Sequence, residues 1–246
     1  MKCRASPYRR HRFAPEIIQH AVWLYYRFNL NHRDIEDILA RRGVLVSHES
    51  IRLWCNRFGL HYAEQLRRGH RGYGDTVFMD EVSVRIGGRQ RYLWRAVDQD
   101  GEVIDVLLQE RRDAASAKRF CKHLLARLGA EPRTIVTDKL GSYALARREL
   151  LPGAAHDTRQ YANNRAELSH QATRVRERGM RRFKSMFQAQ RFVFVHAAVS
   201  NLFNLGRHLV AAGHYRTLRR SAFASWDGAV AILRESGWEE ASTVET

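Results

Sequence analysis

Apolar positions in the first third of the chain recur at helical spacing. From Pro15 to Phe28, the residues Ile17, Ile18, Ala21, Val22, Leu24 and Tyr25 share one face behind a first-turn proline, which predicts a helix. Asn31 offers the N-cap of a second helix with Ile35, Ile38 and Leu39 inward, stopped by Gly43 after Arg41 and Arg42. Ser47 caps a third, with Ile51, Trp54 and Cys55 inward and an expected end at Gly59. His48, Glu49, Arg52, Asn56 and Arg57 then fall on its outer face. Two short helices joined by a glycine-containing connection outline a helix-turn-helix, and the outer residues are types that bond base edges and phosphates. A plain three-helix bundle packed on the rest of the chain fits the same pattern. The stretch 67–74, with three glycines and three arginines, reads as a linker.

Beyond it the period becomes that of strands. Residues 76–84 are rich in β-formers, Gly87-Gly88 marks a hairpin turn, and 91–97 forms the returning strand. The turn Asp98-Gln99-Asp100-Gly101 leads to a third strand over 103–108. Residues 114–128 form an amphipathic helix closed by Gly129, and 134–137 a short apolar strand ending at Asp138-Lys139. A second short helix is expected over 142–150, then an extended piece before Asn163-Asn164, and a long basic helix from near Arg165. Residues 192–209 read as a mostly apolar helix covering the sheet, and Trp94 as core. The order βββ-α-β-α-β-α is that of an α/β domain with a mixed sheet. The organisation expected is thus a helix-turn-helix domain over 1–66, the linker, an α/β domain over 75–215 and a C-terminal tail over 216–246.

Charge sharpens this picture. The 246 residues carry 42 Lys plus Arg against 26 Asp plus Glu, a net +16. Such an excess points to a polyanionic partner, nucleic acid or an anionic membrane surface, although an arginine bias also contributes. The excess is uneven: +8 over 1–74 (14 bases, 6 acids), +2 over 75–162 (15 and 13), +10 over 163–221 (12 and 2) and −4 over 222–246 (1 and 5). Two basic regions flanking a near-neutral centre suggest two units that contact nucleic acid. Three scattered cysteines, Cys3, Cys55 and Cys121, make neither a disulfide framework nor a zinc set. With no signal-peptide pattern and no stretch long enough to span a bilayer, a soluble protein of a reducing compartment is expected.

Asp80 sits inside a strand of buried character, and Asp138 ends another. Carboxylates there are costly unless paired or bound to a cation, and strand ends are where α/β sheets gather ligands. Glu167 opens the long helix, in a segment holding only two acids. Three such acids in a basic protein fit a hard divalent cation, Mg²⁺ or Mn²⁺. Singly, Asp138 also fits a turn or cap, and Glu167 a helix acid favoured by the dipole. On the long helix His170, Arg174, Arg178 and Arg181 follow Glu167 along one face, where they would run DNA phosphate past the acids; a solvated basic face is the alternative. His170 fits a packed histidine or a phosphate donor equally well.

The segments Met79-Asp80-Glu81, Tyr92 to Asp98, Thr137-Asp138-Lys139 and Asn163 to Glu167, in this order, resemble the IS6-family (IS26-like) insertion-sequence transposases. These are DDE recombinases with an RNase H-like catalytic domain, and the resemblance covers about residues 10 to 210. It implies Asp80, Asp138 and Glu167 as a metal-binding catalytic triad holding two Mg²⁺, with Mn²⁺ as the alternative. His170 and Arg174 match basic positions that follow the glutamate in the family. It further implies nicking of the element's 3′ ends by water and attack of the freed 3′-hydroxyl on target DNA. Lys139 beside Asp138, with His48, Arg52, Asn56, Arg57, His170, Arg174, Arg178 and Arg181, completes the expected DNA-contacting set. Between Asp138 and Glu167 lie 28 residues, fewer than is usual in these enzymes; the shortening is expected as a loop around Leu150 to Asp157. The expected partners are double-stranded DNA, both terminal inverted repeats and target, and a second copy of the chain. The expected location is the bacterial or archaeal cytoplasm, at the nucleoid. A catalytically inactive end-binding regulator and an RNase H-like nuclease are the competing readings.

Overall fold

A computed structural model describes residues 8–138, 141–159, 175, 183–206 and 209–235. Two compact units divide the chain: Met1–His70 together with Leu205–Thr246, and Arg71–Asn204.

In the first unit, α1 (Pro15–Arg27) begins at its first-turn proline, and α2 (His32–Ala40) and α3 (His48–Arg68) begin directly after the expected caps Asn31 and Ser47. Asn31 closes a capping box: its side chain accepts from Arg33 N and Asp34 N, and the Asp34 carboxylate accepts from Asn31 N at 2.7 Å. Ile18, Val22, Ile35, Ile51, Phe58 and Tyr62 are buried between these helices. Tyr8 stacks on Phe58 with ring centroids 4.9 Å apart, and its hydroxyl lies 2.6 Å from that of Tyr62.

Two expectations change here. The third helix does not stop at Gly59 but continues to Arg68, taking the first two residues of the expected linker. Gly59 is a point of close approach instead: a Cβ there would lie 2.9 Å from Cε2 and the hydroxyl of Tyr26, whose ring is buried and whose hydroxyl donates to Cys55 O at 3.3 Å. The tail expected from residue 216 is likewise not a tail. Residues Ala212–Glu235 form the last described helix, α7. Its Ala222, Trp226, Ala229 and Val230 are buried. Trp226 meets Tyr62 edge-on at 5.4 Å, and Phe223 meets Trp23 at 5.4 Å, so the helix belongs to the helical core.

The second unit is a five-stranded sheet in the order β3-β2-β1-β4-β5. Its strands are β1 (Thr76–Ile86), β2 (Arg89–Asp98), β3 (Val103–Gln109), β4 (Thr134–Val136) and β5 (Ala155–Asp157). The first three are antiparallel neighbours, and β4 and β5 run parallel to β1. Gly87 and Gly88 have φ of +56° and +79°, the pair of left-handed residues that a two-residue type I′ hairpin needs. The expected loop around Leu150 to Asp157 is corrected in part, because its last three residues pair with Thr134 to Val136 as β5.

Helices α4 (Ala114–Leu128) and α5 (Gly141–Leu150) supply Ala117, Phe120, Cys121, Leu124 and Ala146 to a core shared with Val77, Met79, Trp94 and Ile135 of the sheet. Burial among these apolar groups pushes the Cys121 thiol up to about 12, so it packs as a small hydrophobe. The apolar helix α6 (Met186–Leu202) starts six residues earlier than the expected 192 and stops at Leu202 rather than 209. It lies along the exposed edge of β3. Gln190 accepts from Leu108 N at 2.7 Å and donates to Val106 O at 3.0 Å, while Asn201 accepts from Val103 N and donates to Val103 O. Two side-chain amides three helical turns apart thereby occupy the backbone groups a further strand would otherwise pair with.

Gly59→Ala tests the close approach at Tyr26. Alanine is favoured in a helix by about 1 kcal/mol, but overpacking costs about 1–3 kcal/mol. The expected outcome is a net loss of stability, read as a lower midpoint in thermal unfolding.

Candidate active site

The two described acids of the expected triad come together through one strand pairing. β1 and β4 are parallel with Thr76 opposite Thr134, Val77 opposite Ile135 and Phe78 opposite Val136. Carried two residues further, that register sets Asp80 level with Asp138. Asp80 lies on β1, the central strand, and Asp138 immediately follows the last paired stretch of β4. Both are half-buried. Glu167, His170, Arg174, Arg178, Arg181 and Lys139 lie outside the described residues. Among the described residues no three His, Cys, Asp or Glu side chains gather into a metal cluster. Two carboxylates at neighbouring strand positions nevertheless offer the oxygen donors that a hard divalent cation takes.

Alternation along β1 separates Asp80 from its neighbour Glu81. Glu81 follows Val77 and Met79 on the face covered by α4, and its side chain is fully buried. Arg112, just before the α4 N-cap Asp113, folds back so that Nε and Nη2 both lie 2.6 Å from Glu81 Oε1. The same Nη2 lies 3.7 Å from Asp138 Oδ2. One guanidinium therefore neutralises the buried acid and sets positive charge beside a candidate ligand.

Asp138 is also held from β5. Thr137 is buried and its hydroxyl donates to Asp138 O at 2.7 Å, with His156 Nε2 at 2.8 Å from the same hydroxyl. Because the hydroxyl has only one proton, His156 is the donor in the second bond. Burial lowers the His156 pKa, with the Arg147 charge adding to this, so the ring is neutral at pH 7. Across the sheet, Asp80 stands opposite Arg95 in the β1–β2 register. Arg95 is 2% exposed, and burial brings its pKa down to about 10, which leaves it cationic at neutral pH. Asp98 is a buried acid of another kind: its carboxylate accepts from Gly74 N, Asp100 N and Glu102 N, and so holds a turn.

The candidate DNA-contacting residues of α3 lie among the described residues. Arg52 and Arg57 are exposed, and Asn56 and His48 half-buried. Arg52 Nε donates to Glu49 at 2.9 Å, and His48 Nδ1 lies 3.1 Å from Glu36. Both are tied to acids, which holds them in place and lowers the net charge of that face. Sequence reasoning missed Arg112, His156 and Arg95 around the acids, and the exposed Leu53 between Arg52 and Arg57. A basic residue directly before a helix cap, or opposite an acid in a hairpin register, was the available signal.

A central β1 with antiparallel β2 and β3 on one side, parallel β4 and β5 on the other, and acids on β1 and after β4 defines an RNase H-like α/β catalytic domain. Sequence comparison with known proteins agrees with this class. The family described as a DDE domain (DDE_Tnp_IS240) matches residues 74–205. The transposase for insertion sequence-like element IS431mec of Staphylococcus aureus (strain Mu50) is 31% identical over 175 residues, covering 69% of this chain and 78% of that protein. The transposase for insertion sequence element IS257 in transposon Tn4003 of Staphylococcus aureus matches with the same identity and coverage. A chain of the simian T-cell lymphotropic virus intasome in complex with PP2A regulatory subunit B56 gamma aligns with a TM-score of 0.38 and 17% identity, over 63% of this chain and 58% of that one. The chain belongs to the IS6 family of DDE transposases. That family's DDE domain depends in general on divalent metal. No described helix is long and apolar enough to cross a membrane.

Arg112→Ala leaves the Glu81 carboxylate buried without its guanidinium. The expected cost is about 2–3 kcal/mol, at the low end for a broken buried pair because Arg112 is itself partly exposed. Thermal unfolding checks this, and adding Glu81→Gln recovers part of the loss.

Proposed function

We propose that this transposase binds the terminal inverted repeats of an insertion sequence and catalyses Mg²⁺-dependent nicking of their 3′ ends and strand transfer into target DNA. The observation that carries the reading is the β1–β4 register, which sets Asp80 level with Asp138. Glu167 completes the triad in this proposal. Two Mg²⁺ ions, or Mn²⁺, held by these oxygens supply Lewis-acid stabilisation of the attacking and leaving oxygens at phosphorus. The chain's own residues do the positioning. His156 and Thr137 hold the turn that presents Asp138. Arg112 keeps Glu81 paired and out of the ligand set, and places a positive charge on the Asp138 side of the site, where phosphate arrives. The nucleophile is water for nicking and the 3′-hydroxyl for joining, so no covalent enzyme intermediate forms.

The helices α2 and α3 act as a helix-turn-helix reader, with His48, Arg52, Asn56 and Arg57 towards DNA and Leu53 available to thymine methyl groups. Lys139, His170, Arg174, Arg178 and Arg181 carry the phosphate backbone past the acids. Because two element ends must be brought together, the working unit is a homodimer or a larger homo-oligomer, acting on double-stranded DNA in the cytoplasm at the nucleoid.

The test is strand transfer with labelled inverted-repeat ends and Mg²⁺. Asp80→Asn is expected to lower joining by about a thousandfold or more, a barrier change of about 4 kcal/mol, while end binding stays within about twofold of wild type. Wild type that binds ends but neither cuts nor joins them in Mg²⁺ or Mn²⁺ identifies an end-binding regulator instead. Cleavage of DNA without end preference identifies a nuclease.

A further inference from the structure

The helix expected as a tail carries a second feature besides its buried stripe. Arg216, Arg219 and Arg220 stand at i, i+3 and i+4 on α7 and are exposed, with Phe223 one further turn along. With Gly213 these residues line an open hollow of about 670 Å³. The buried residues Ala222, Trp226, Ala229 and Val230 lie further along the helix, and the earlier turns that carry the arginines leave all three exposed. None of the ion pairs among the described residues involves Arg216, Arg219 or Arg220. Asp227 is the single acid among residues 212–231. At the end of α1, Arg27 lies near enough to Arg219 for the two charges to oppose one another, and burial together with Arg219 lowers its pKa while Tyr215 offsets part of this. Arg27 also lies over the ring of the exposed Phe28, 6.0 Å from its centroid.

Like charges concentrated at one place cost free energy in the absence of a counter-charge. A stripe of exposed guanidiniums around an apolar floor suits a partner with regularly spaced anions, each accepting from a planar fork of donors. We propose that the arginine face of α7, with Arg27 beside it, is a docking surface for the phosphate backbone of duplex DNA. It is distinct from the α3 residues expected to read bases and from the acid site. The proposal rests on the reading of this chain as a DNA-binding transposase and assigns a DNA contact to its C-terminal helix. Contacts of this kind position the duplex and add affinity without reading sequence.

The experiment measures binding of the full chain to a fluorescein-labelled random-sequence duplex by anisotropy across a salt series. Each lost phosphate contact lowers the slope of log affinity against log salt by about 0.9. The combined variant R216Q, R219Q and R220Q is expected to lose about 2–3 from that slope and on the order of 10- to 100-fold in affinity. Lysine at the same three positions keeps most of the binding. Removing the same charge from exposed positions of the sheet unit (K122Q, R133Q and R148Q) is expected to change the slope by less than half as much. A wild-type measurement needs no variant: phenylglyoxal labelling of Arg216, Arg219 and Arg220, read by mass spectrometry, is expected to fall when DNA is bound. Wild-type binding that the glutamine variant retains with an unchanged slope, or labelling that DNA does not suppress, overturns the α7 surface and leaves the transposase reading intact. Wild type that binds no DNA overturns both.

Discussion

The parallel pairing of β1 with β4 is the constraint on which the site depends. Asp80 and Asp138 are far apart in sequence, and neither is chemically unusual alone. Three backbone-paired residues on each strand align them, and a slip of one residue would turn one acid to the other face of the sheet. The surrounding structure protects that register. β5 pairs on the far side of β4, and Thr137 and His156 tie the two strands just before Asp138. On the other side, β2 and β3 extend the sheet, and the Gln190 and Asn201 amides of α6 finish its edge.

Electrostatics then divide the labour among neighbouring acids. Glu81 adjoins Asp80 in sequence, yet lies on the other face and is neutralised by Arg112. Asp98 is saturated by backbone N–H donors. Asp80 and Asp138 remain half-buried at the junction of two parallel strands, with the cations Arg95 and Arg112 placed by the same sheet and its loops. A basic environment around acids suits a site that must accept both a metal cation and a phosphate anion. The charge of the chain is divided too. Arg216, Arg219 and Arg220 fall within the +10 segment by sequence, and in the fold they belong to the helical unit.

Most elements were legible from periodicity and punctuation, because each rests on local rules. Asn31, Ser47 and Asp113 cap helices, Gly87-Gly88 turns a hairpin, and alternation along β1 marks the buried face. That Asp80 and Asp138 belong to one site was an expectation from their strand positions and the family resemblance; the β1–β4 register that sets them level was not visible in the sequence. What escaped was non-local. Gly59 read as a stop because no local rule reveals a tyrosine ring arriving from α1. The buried stripe of α7 was hidden by the acidic charge of its segment, although Ala222, Trp226 and Ala229 do recur at helical spacing. A fifth strand was expected before Asn163-Asn164, but its place at 155–157 was hidden because β5 is three residues long and holds a histidine and an aspartate, with no apolar signature. Arg112 and His156 act through partners far away in sequence, Glu81 and Thr137, so their roles emerge only once the sheet is assembled.

We propose that Asp80 and Asp138 are ligands of one divalent-metal site. Electron paramagnetic resonance of Mn²⁺ titrated into the full chain, compared with an Asp80→Asn, Asp138→Asn double variant of unchanged thermal stability, tests it most directly. The wild-type chain is expected to remove Mn²⁺ from the free-ion signal, and the double variant to lose this capacity. Equal Mn²⁺ binding by the two proteins would contradict it.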